Sequence, residues 1–361
     1  MMPRSYNPAV AGCALLALGG LIALKSESAA HLMALTAVWA LMAAGWNIIS
    51  GYAGPLSLGQ GAFFGLTSFT STVLFTEFNL SPYFGILAGV ILSVVLAAII
   101  GLTTLRLSGL YFGLATLTIP LIMGTLTRYF GYFEVARPYV GESVAYFQFN
   151  SSLPYYGVAA VFVAFALVFT AHLENTRMGR YFVAIRENER AAEASGVPTF
   201  RYKFYAFLIG AAFSALAGGI YSQLAFVFSP GDVYNPLISV QALLIVLIGG
   251  SGTVLGPVIG AMIVIPGNEF TSTYFSQVPG LNNLAYACIL MLVALLSRRG
   301  LYPYLARLAS LVATALIGRA RGRGKGRGGD GRPEHSEQKT QPKDPVVQPH
   351  GPVKRTDRER S

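Results

Sequence analysis

Residues 82–105 read PYFGILAGVILSVVLAAIIGLTTL, without one Asp, Glu, Lys or Arg. A helix of that length, rising about 1.5 Å per residue, spans the ~30 Å hydrocarbon core of a bilayer. Similar apolar runs lie at residues 8–24, 30–49, 57–76, 109–127, 154–172, 204–226 and 282–297. In lipid the backbone must satisfy its own hydrogen bonds, so a spanning segment is either a helix or a strand of a closed barrel. A barrel would show short alternating strands. The expectation is therefore an all-α, polytopic transmembrane helix bundle of about 8 to 10 spans. The totals agree: 361 residues, 53% hydrophobic and 12% charged, with a mean hydropathy of +0.54. The first run resembles a signal peptide, with Arg4 as basic flank and Ser28-Ala29-Ala30 as a loose cleavage site, but a retained span is expected.

Residues 237–265, LISVQALLIVLIGGSGTVLGPVIGAMIVI, are apolar but broken at Gly249-Gly250-Ser251-Gly252 and at Gly256-Pro257. Two helical pieces meeting at a non-helical junction fit better than one straight span, either as two crossings or as a re-entrant hairpin. Residues 51–61, GYAGPLSLGQG, interrupt the pattern in the same way in the first half. Gly/Pro breaks in both halves of a membrane chain point to discontinuous helices lining a solute path. Candidate path residues are Gly51, Tyr52, Gly54, Ser57, Gln60, Gln241, Gly249, Gly250 and Gly252, with Ser68 and Thr70 beside them. The competing reading is that the polar members bond to neighbouring helices and the glycines serve close packing.

The net charge of +10 is carried by one end: residues 298–361 hold 15 of the 26 Lys and Arg and 6 of the 16 Asp and Glu. The segment RGRGKGRGGDGRPEHSEQKTQPKD (321–344) lacks apolar residues to bury, so 318–361 is expected to be a disordered basic tail. Such a tail attracts anionic lipid headgroups. RNA binding through Gly-Arg repeats is the alternative, and no nucleic-acid partner is expected. Residues 301–317, LYPYLARLASLVATALI, are a possible interfacial helix or weak span.

Lys and Arg concentrate on the cytoplasmic side of membrane proteins. The loop 173–203 carries Arg177, Arg180, Arg186, Arg190, Arg201 and Lys203, whereas the connections 227–236 and 267–281 contain none. The first is expected inside with both termini, and the other two outside. That assignment places 128–153 outside despite Arg128 and Arg137.

Residues 1–297 contain 21 charged side chains, and ten of them fall in 173–203. Arg186 to Ser195 is expected to form one short polar helix, with spacing for Arg186–Glu189 and Arg190–Glu193 contacts, stopped by Gly196 and Pro198. Its Ala191, Ala192, Ala194 and Ser195 face would admit a partner's groove; an ordinary solvated helix is the plain alternative.

The run from Asn175 to Phe207, N-x-R-x-G-R-x-x-x-A-I-R-E-N-E-R-A-A-E-x-x-G-V followed by Y-K-x-x-A-F, resembles the cytoplasmic loop of the branched-chain amino acid ABC-transporter permeases, the LivM family. GYAGPLSLGQGAFFG (51–65), LRLSGLYFGLATLTIP (105–120) and IGGSGTVLGPVIGA (248–261) agree with it in the same order. The resemblance implies a transmembrane permease domain over residues 1–300, with 173–203 as its coupling loop. It also implies a second related permease, two ATPase subunits and a periplasmic solute-binding protein as partners, in a bacterial inner membrane. The coupling residues implied are Arg186, Glu187, Glu189, Arg190, Ala191, Ala192, Glu193 and Gly196. Import permeases in general read Glu-Ala-Ala, three residues, then Gly; Arg190 stands where that pattern has glutamate. Residues 131–150 depart from the Gly-rich, polar segment usual in the family, and related permeases also serve urea and short amides.

No catalytic or metal-binding residue is assigned. Cys13 and Cys288 lie in apolar runs, His31 and His172 at the ends of such runs, and His335 and His350 in the tail, none with ligand spacing. The only Gly-Lys, Gly324-Lys325, precedes Gly326 in place of Ser or Thr, so no phosphate-cradling loop is present. The chain is expected to bind no cofactor, to be no enzyme, and to rely on ATP used by its partners. The spans hold essentially no charge, which disfavours a stand-alone ion-coupled carrier, and they hold no carboxylate pair for intramembrane catalysis.

Overall fold

The computed structural model describes residues 8–107 and 109–275. Arg4, Ser108, the run 282–297, Cys288, the 301–317 segment and the 318–361 tail lie outside the described residues.

The chain folds as α1 (Pro8–Ala23), α2 (Glu27–Trp46) continued by a π-helical turn (Asn47–Ala53), α3 (Gln60–Phe78), α4 (Pro82–Thr104) and α5 (Leu110–Tyr129). After strand β1 (Val135–Ala136) come α6 (Leu153–Asn175), α7 (Arg177–Glu187), α8 (Glu189–Ala194) and α9 (Thr199–Leu224). Strand β2 (Val227–Phe228) precedes α10 (Pro230–Val233), α11 (Pro236–Gly249) and α12 (Gly256–Phe275). The expected α-helical polytopic bundle is the observed one. Six stretches among the described residues are long and apolar enough to cross a membrane: 27–53, 82–104, 110–129, 153–175, 199–224 and 230–249. The helices α1, α3 and α12 pack among them.

The pattern of residues 82–104 is explained by how α4 packs. Gly85, Gly89, Ser93, Ala97 and Gly101 recur every fourth residue and are buried, while Leu87, Ile91, Val95, Ile99 and Leu102 are exposed. Small residues inward let helix backbones approach closely; large apolar ones outward suit a hydrocarbon solvent. A Cβ on Gly89 would lie 2.9 Å from Thr67 Cα of α3 and one on Gly85 2.8 Å from Ser71 Cα, so the two helices touch backbone to backbone. Helix α3 differs in character. It buries Thr67, Ser68, Ser71 and Thr72 against α4 and α9 and is not among the six apolar spans. Helix α2 is the most buried, lying against α1, α6, α9, α11 and α12.

Pro120 cannot donate to the Thr116 carbonyl one turn back in α5. The chain entering α3 packs there: a Cβ on Gly59 would sit 2.8 Å from that carbonyl, and Leu58 N–H donates to Thr116 Oγ1 at 3.0 Å.

Three expectations are corrected. Residues 267–275 are helical, because α12 continues through Pro266, so no loop begins at 267. Helix α3 starts at Gln60, since residues 54–59 are non-helical. Arg186 to Ser195 is not one helix: the chain breaks at Asn188 (φ −159°, ψ 101°), whose side chain accepts from Ala191 N–H and caps α8. Antiparallel pairing of Val135 with Phe228 joins the 128–153 and 227–236 connections at one end of the bundle. The α7–α8 elbow lies at the other.

Candidate functional site

The elbow is built locally. Thr176 caps α7 by accepting from Gly179 N–H at 3.2 Å, and the turn from α6 leaves no room at Gly179, where a Cβ would meet the Leu173 carbonyl at 2.1 Å. Helix α8 closes with Val197 N–H on the Ala192 carbonyl and Gly196 N–H on that of Glu193. Those two bonds make a Schellman ending, and Gly196 takes the required left-handed conformation (φ +84°).

The break at Asn188 reassigns the charges. Arg186 pairs with Glu187 at 2.9 Å and not with Glu189. Glu189 pairs with Lys203 of α9, and Glu193 accepts from Thr199 Oγ1 at 2.5 Å, so α8 is strapped to the start of α9. Ala192 is buried beneath α8, leaving Arg190, Ala191, Ala194 and Ser195 as the exposed side; the expected four-residue small face loses one member.

The structure also brings the coupling and path candidates together. Arg186 Nη1 donates to the Gly51 carbonyl at 2.8 Å. Its stem lies over Gly54 (φ +100°), where a Cβ would be 3.0 Å from Arg186 Cα. Gly252 packs on the same carbonyl and guanidinium, a Cβ there lying 2.9 Å from Gly51 O and closer still to Arg186 Nη1. Asn47 ties the second half in: its Oδ1 accepts from Gly252 N–H (2.8 Å) and its Nδ2 donates to the Thr253 carbonyl (2.9 Å). Tyr52 Oη donates to Glu174 Oε1 at 2.6 Å. Both Gly-rich breaks and the elbow thus meet in one junction, beside an open cleft of about 300 Å³ lined by Tyr52, Glu174, Arg180, Arg186 and Gly252 among others.

Ser57 and Gln60 are fully buried just inside this junction. Ser57 receives Trp46 Nε1–H on its carbonyl (2.8 Å), and Gln60 Oε1 accepts from Ser214 Oγ of α9 (2.8 Å). Ser57 Oγ and Gln60 Nε2 have no partner among the described residues. Ser68 Oγ donates across to the Gly218 carbonyl at 2.8 Å. Thr70 is half-buried. Gln241 is not drawn in: Ser239 faces α3 by accepting from Gly61 N–H, and a residue two positions on points away from that contact. Gly249 serves the α11–α12 crossing, where a Cβ would meet the Gly256 carbonyl at 1.9 Å, and Gly250 turns the chain at φ +124°.

Asn47, Glu174, Ser214 and Ser239 belong to this arrangement and are not among the residues singled out by sequence. A lone amide or hydroxyl inside an apolar run was the available signal for Asn47 and Ser214. Among the described residues no group of three His, Cys, Asp or Glu side chains could hold a metal.

A helix bundle with large apolar side chains outward, polar contacts inward and a charged elbow fastened to two broken segments defines the chain as a multi-span membrane protein. It belongs to the family described as branched-chain amino acid transport system / permease component, whose model matches residues 28–319. The high-affinity branched-chain amino acid permease protein LivM of Salmonella typhimurium is 23% identical over 68% of this chain, and that of Escherichia coli 24% over 68%. The chain spans 64% of the length of each. The fructose import permease FruG of Bifidobacterium longum is 29% identical over 65% of this chain and 64% of its own.

Proposed function

We propose that this chain is the transmembrane permease subunit of an ATP-driven importer for branched-chain or other hydrophobic amino acids, working in a bacterial inner membrane with the elbow and both termini cytoplasmic. In this reading two ATPase subunits dock on the exposed side of α8, a second related permease completes the path, and a periplasmic binding protein delivers solute at the opposite end. The chain itself binds no nucleotide, and ATP is used by its partners. The observation that carries the reading is the junction: Arg186 of the elbow holds the Gly51 carbonyl while Asn47 holds Gly252 and Thr253, so a force on the elbow reaches both helix breaks directly.

Similarity to LivM supports amino acids as solute, and the match to a fructose import permease makes a sugar the second reading. The test is to purify the tagged chain from native membranes and identify what accompanies it. Two P-loop ATPases and a second permease are expected with the intact chain. Ala191→Trp and Ala194→Trp, which add bulk on the exposed side of α8, are expected to lose the ATPases. Their retention by both variants, or their absence from the intact preparation, overturns the reading.

A further inference from the structure

At the end of the bundle remote from the elbow, Arg137 is buried to 6% exposure. Strand alternation puts it there: Val135 and Arg137 are buried while Glu134 and Ala136 are exposed. The Arg137 N–H extends the β1–β2 pairing by donating to the Phe226 carbonyl at 2.8 Å. All hydrogen bonds of the guanidinium pass through Nη1, to the Phe147 carbonyl (3.3 Å), Tyr155 Oη (3.5 Å) and Gln223 Oε1 (3.2 Å). The Phe226 ring covers it, with the centroid 4.8 Å from Cζ.

The other edge of the fork is unpaired among the described residues. Nε is buried without a partner among the described residues, and Nη2 makes no hydrogen bond there. No described Asp or Glu forms an ion pair with it. A guanidinium taken out of water is poorly repaid by neutral dipoles alone and calls for an anion. The Nε–Nη2 edge is a planar pair of donors that matches one carboxylate.

Gln223 links this cation to the interior. Its Nε2 donates to Ser222 Oγ (3.1 Å) and Ser71 Oγ (3.4 Å). Further along the same α3–α9 seam come Ser68 with Gly218 and Gln60 with Ser214, ending at the junction of the broken segments. Arg137 therefore heads a buried polar seam.

We propose that the free edge of Arg137 binds the carboxylate of the transported amino acid as it enters, with Phe226, itself 56% exposed, as the ring that must move aside. The proposal rests on the transport reading above. A group this deeply buried is reached by a small solute and not by the surface of a docked protein, and one free edge suits one carboxylate.

The test follows the thermal stability of the purified chain at constant ionic strength with L-leucine, isovalerate and L-leucinamide. Leucine and isovalerate are expected to stabilise it saturably and the amide is not. Arg137→Gln is expected to weaken the apparent leucine affinity at least about tenfold. An equal response to acid and amide, an unchanged affinity in the variant, or no saturable response overturns the proposal. If Arg137→Gln does not fold, the acid–amide comparison on the intact chain decides. ATPase copurification without a carboxylate effect refutes this inference alone; a carboxylate effect without copurification refutes the transport reading alone.

Discussion

Lys203 enters α9 with its side chain 9% exposed, paired with Glu189, whose side chain stays 43% exposed. The two partners are not equivalent. Removing the lysine leaves a carboxylate that water can still reach, whereas removing the acid strands a buried ammonium. Glu189→Gln is therefore expected to destabilise more than Lys203→Met, by on the order of 1–2 kcal/mol after discounting for the exposed partner. Chemical unfolding of the two variants in the same detergent checks this, and equal losses would mean that the pair is solvated. The sequence displayed both charges but not their pairing. Spacing along an uninterrupted helix favoured Arg186 with Glu189, and the Asn188 cap rotates that partnership away. Asn at the start of Asn-Glu-Arg-Ala was legible as a helix start, but equally so as a position inside one longer helix.

At the scale of elements, the α11–α12 hairpin shows what a glycine-rich break is for. A Cβ on Gly249 would meet the Gly256 carbonyl at 1.9 Å and one on Gly260 the Ile245 carbonyl at 1.9 Å, so the helices cross backbone on backbone. Backbone cannot step aside as a flexible side chain can. Gly249→Ala and Gly260→Ala are each expected to cost about 1–3 kcal/mol or more. Gly267→Ala in the same helix has nothing within 4 Å and is expected to be neutral or to stabilise by up to ~1 kcal/mol. Thermal unfolding of the three variants separates packing from helix propensity; uniform losses would sink the packing account. That a break falls between residues 249 and 257 was readable from Gly and Pro. That the chain turns back there was expected too, but not that the two pieces cross backbone on backbone, because one glycine pattern serves a loop, a crossing or both.

For the whole molecule, the consequence lies in the single bond from Arg186 to the Gly51 carbonyl. Arg186→Met keeps the stem packed over Gly54 but removes the charged donor, a contact worth about 1.5–3 kcal/mol. Under the transport reading, this variant is expected to retain its ATPase partners while solute uptake in membrane vesicles falls about tenfold or more. Uptake at the intact rate would show that the elbow acts through another contact. A lesion at Ala191 or Ala194 is expected to do the reverse and lose the partners first.

The sequence by itself determined the architecture class and the two Gly/Pro-rich breaks, between α2 and α3 and between α11 and α12, but not every helix end: α5 and α12 run on through Pro120 and Pro266. Long charge-free runs in lipid leave the backbone one economical way to satisfy its hydrogen bonds, and clustered Gly and Pro mark where that way ends. It also displayed the charged loop, though not its break at Asn188, since ten charges in 31 residues of a body with few others stand out against any background. Only the tertiary structure decided which polar atoms meet. Asn47 reaches Thr253 across 206 residues, Arg186 reaches Gly51 across 135 and Arg137 reaches Gln223 across 86. Such contacts depend on how helices cross and rotate against one another, which small residues permit at many registers and which packing of the whole bundle narrows to one.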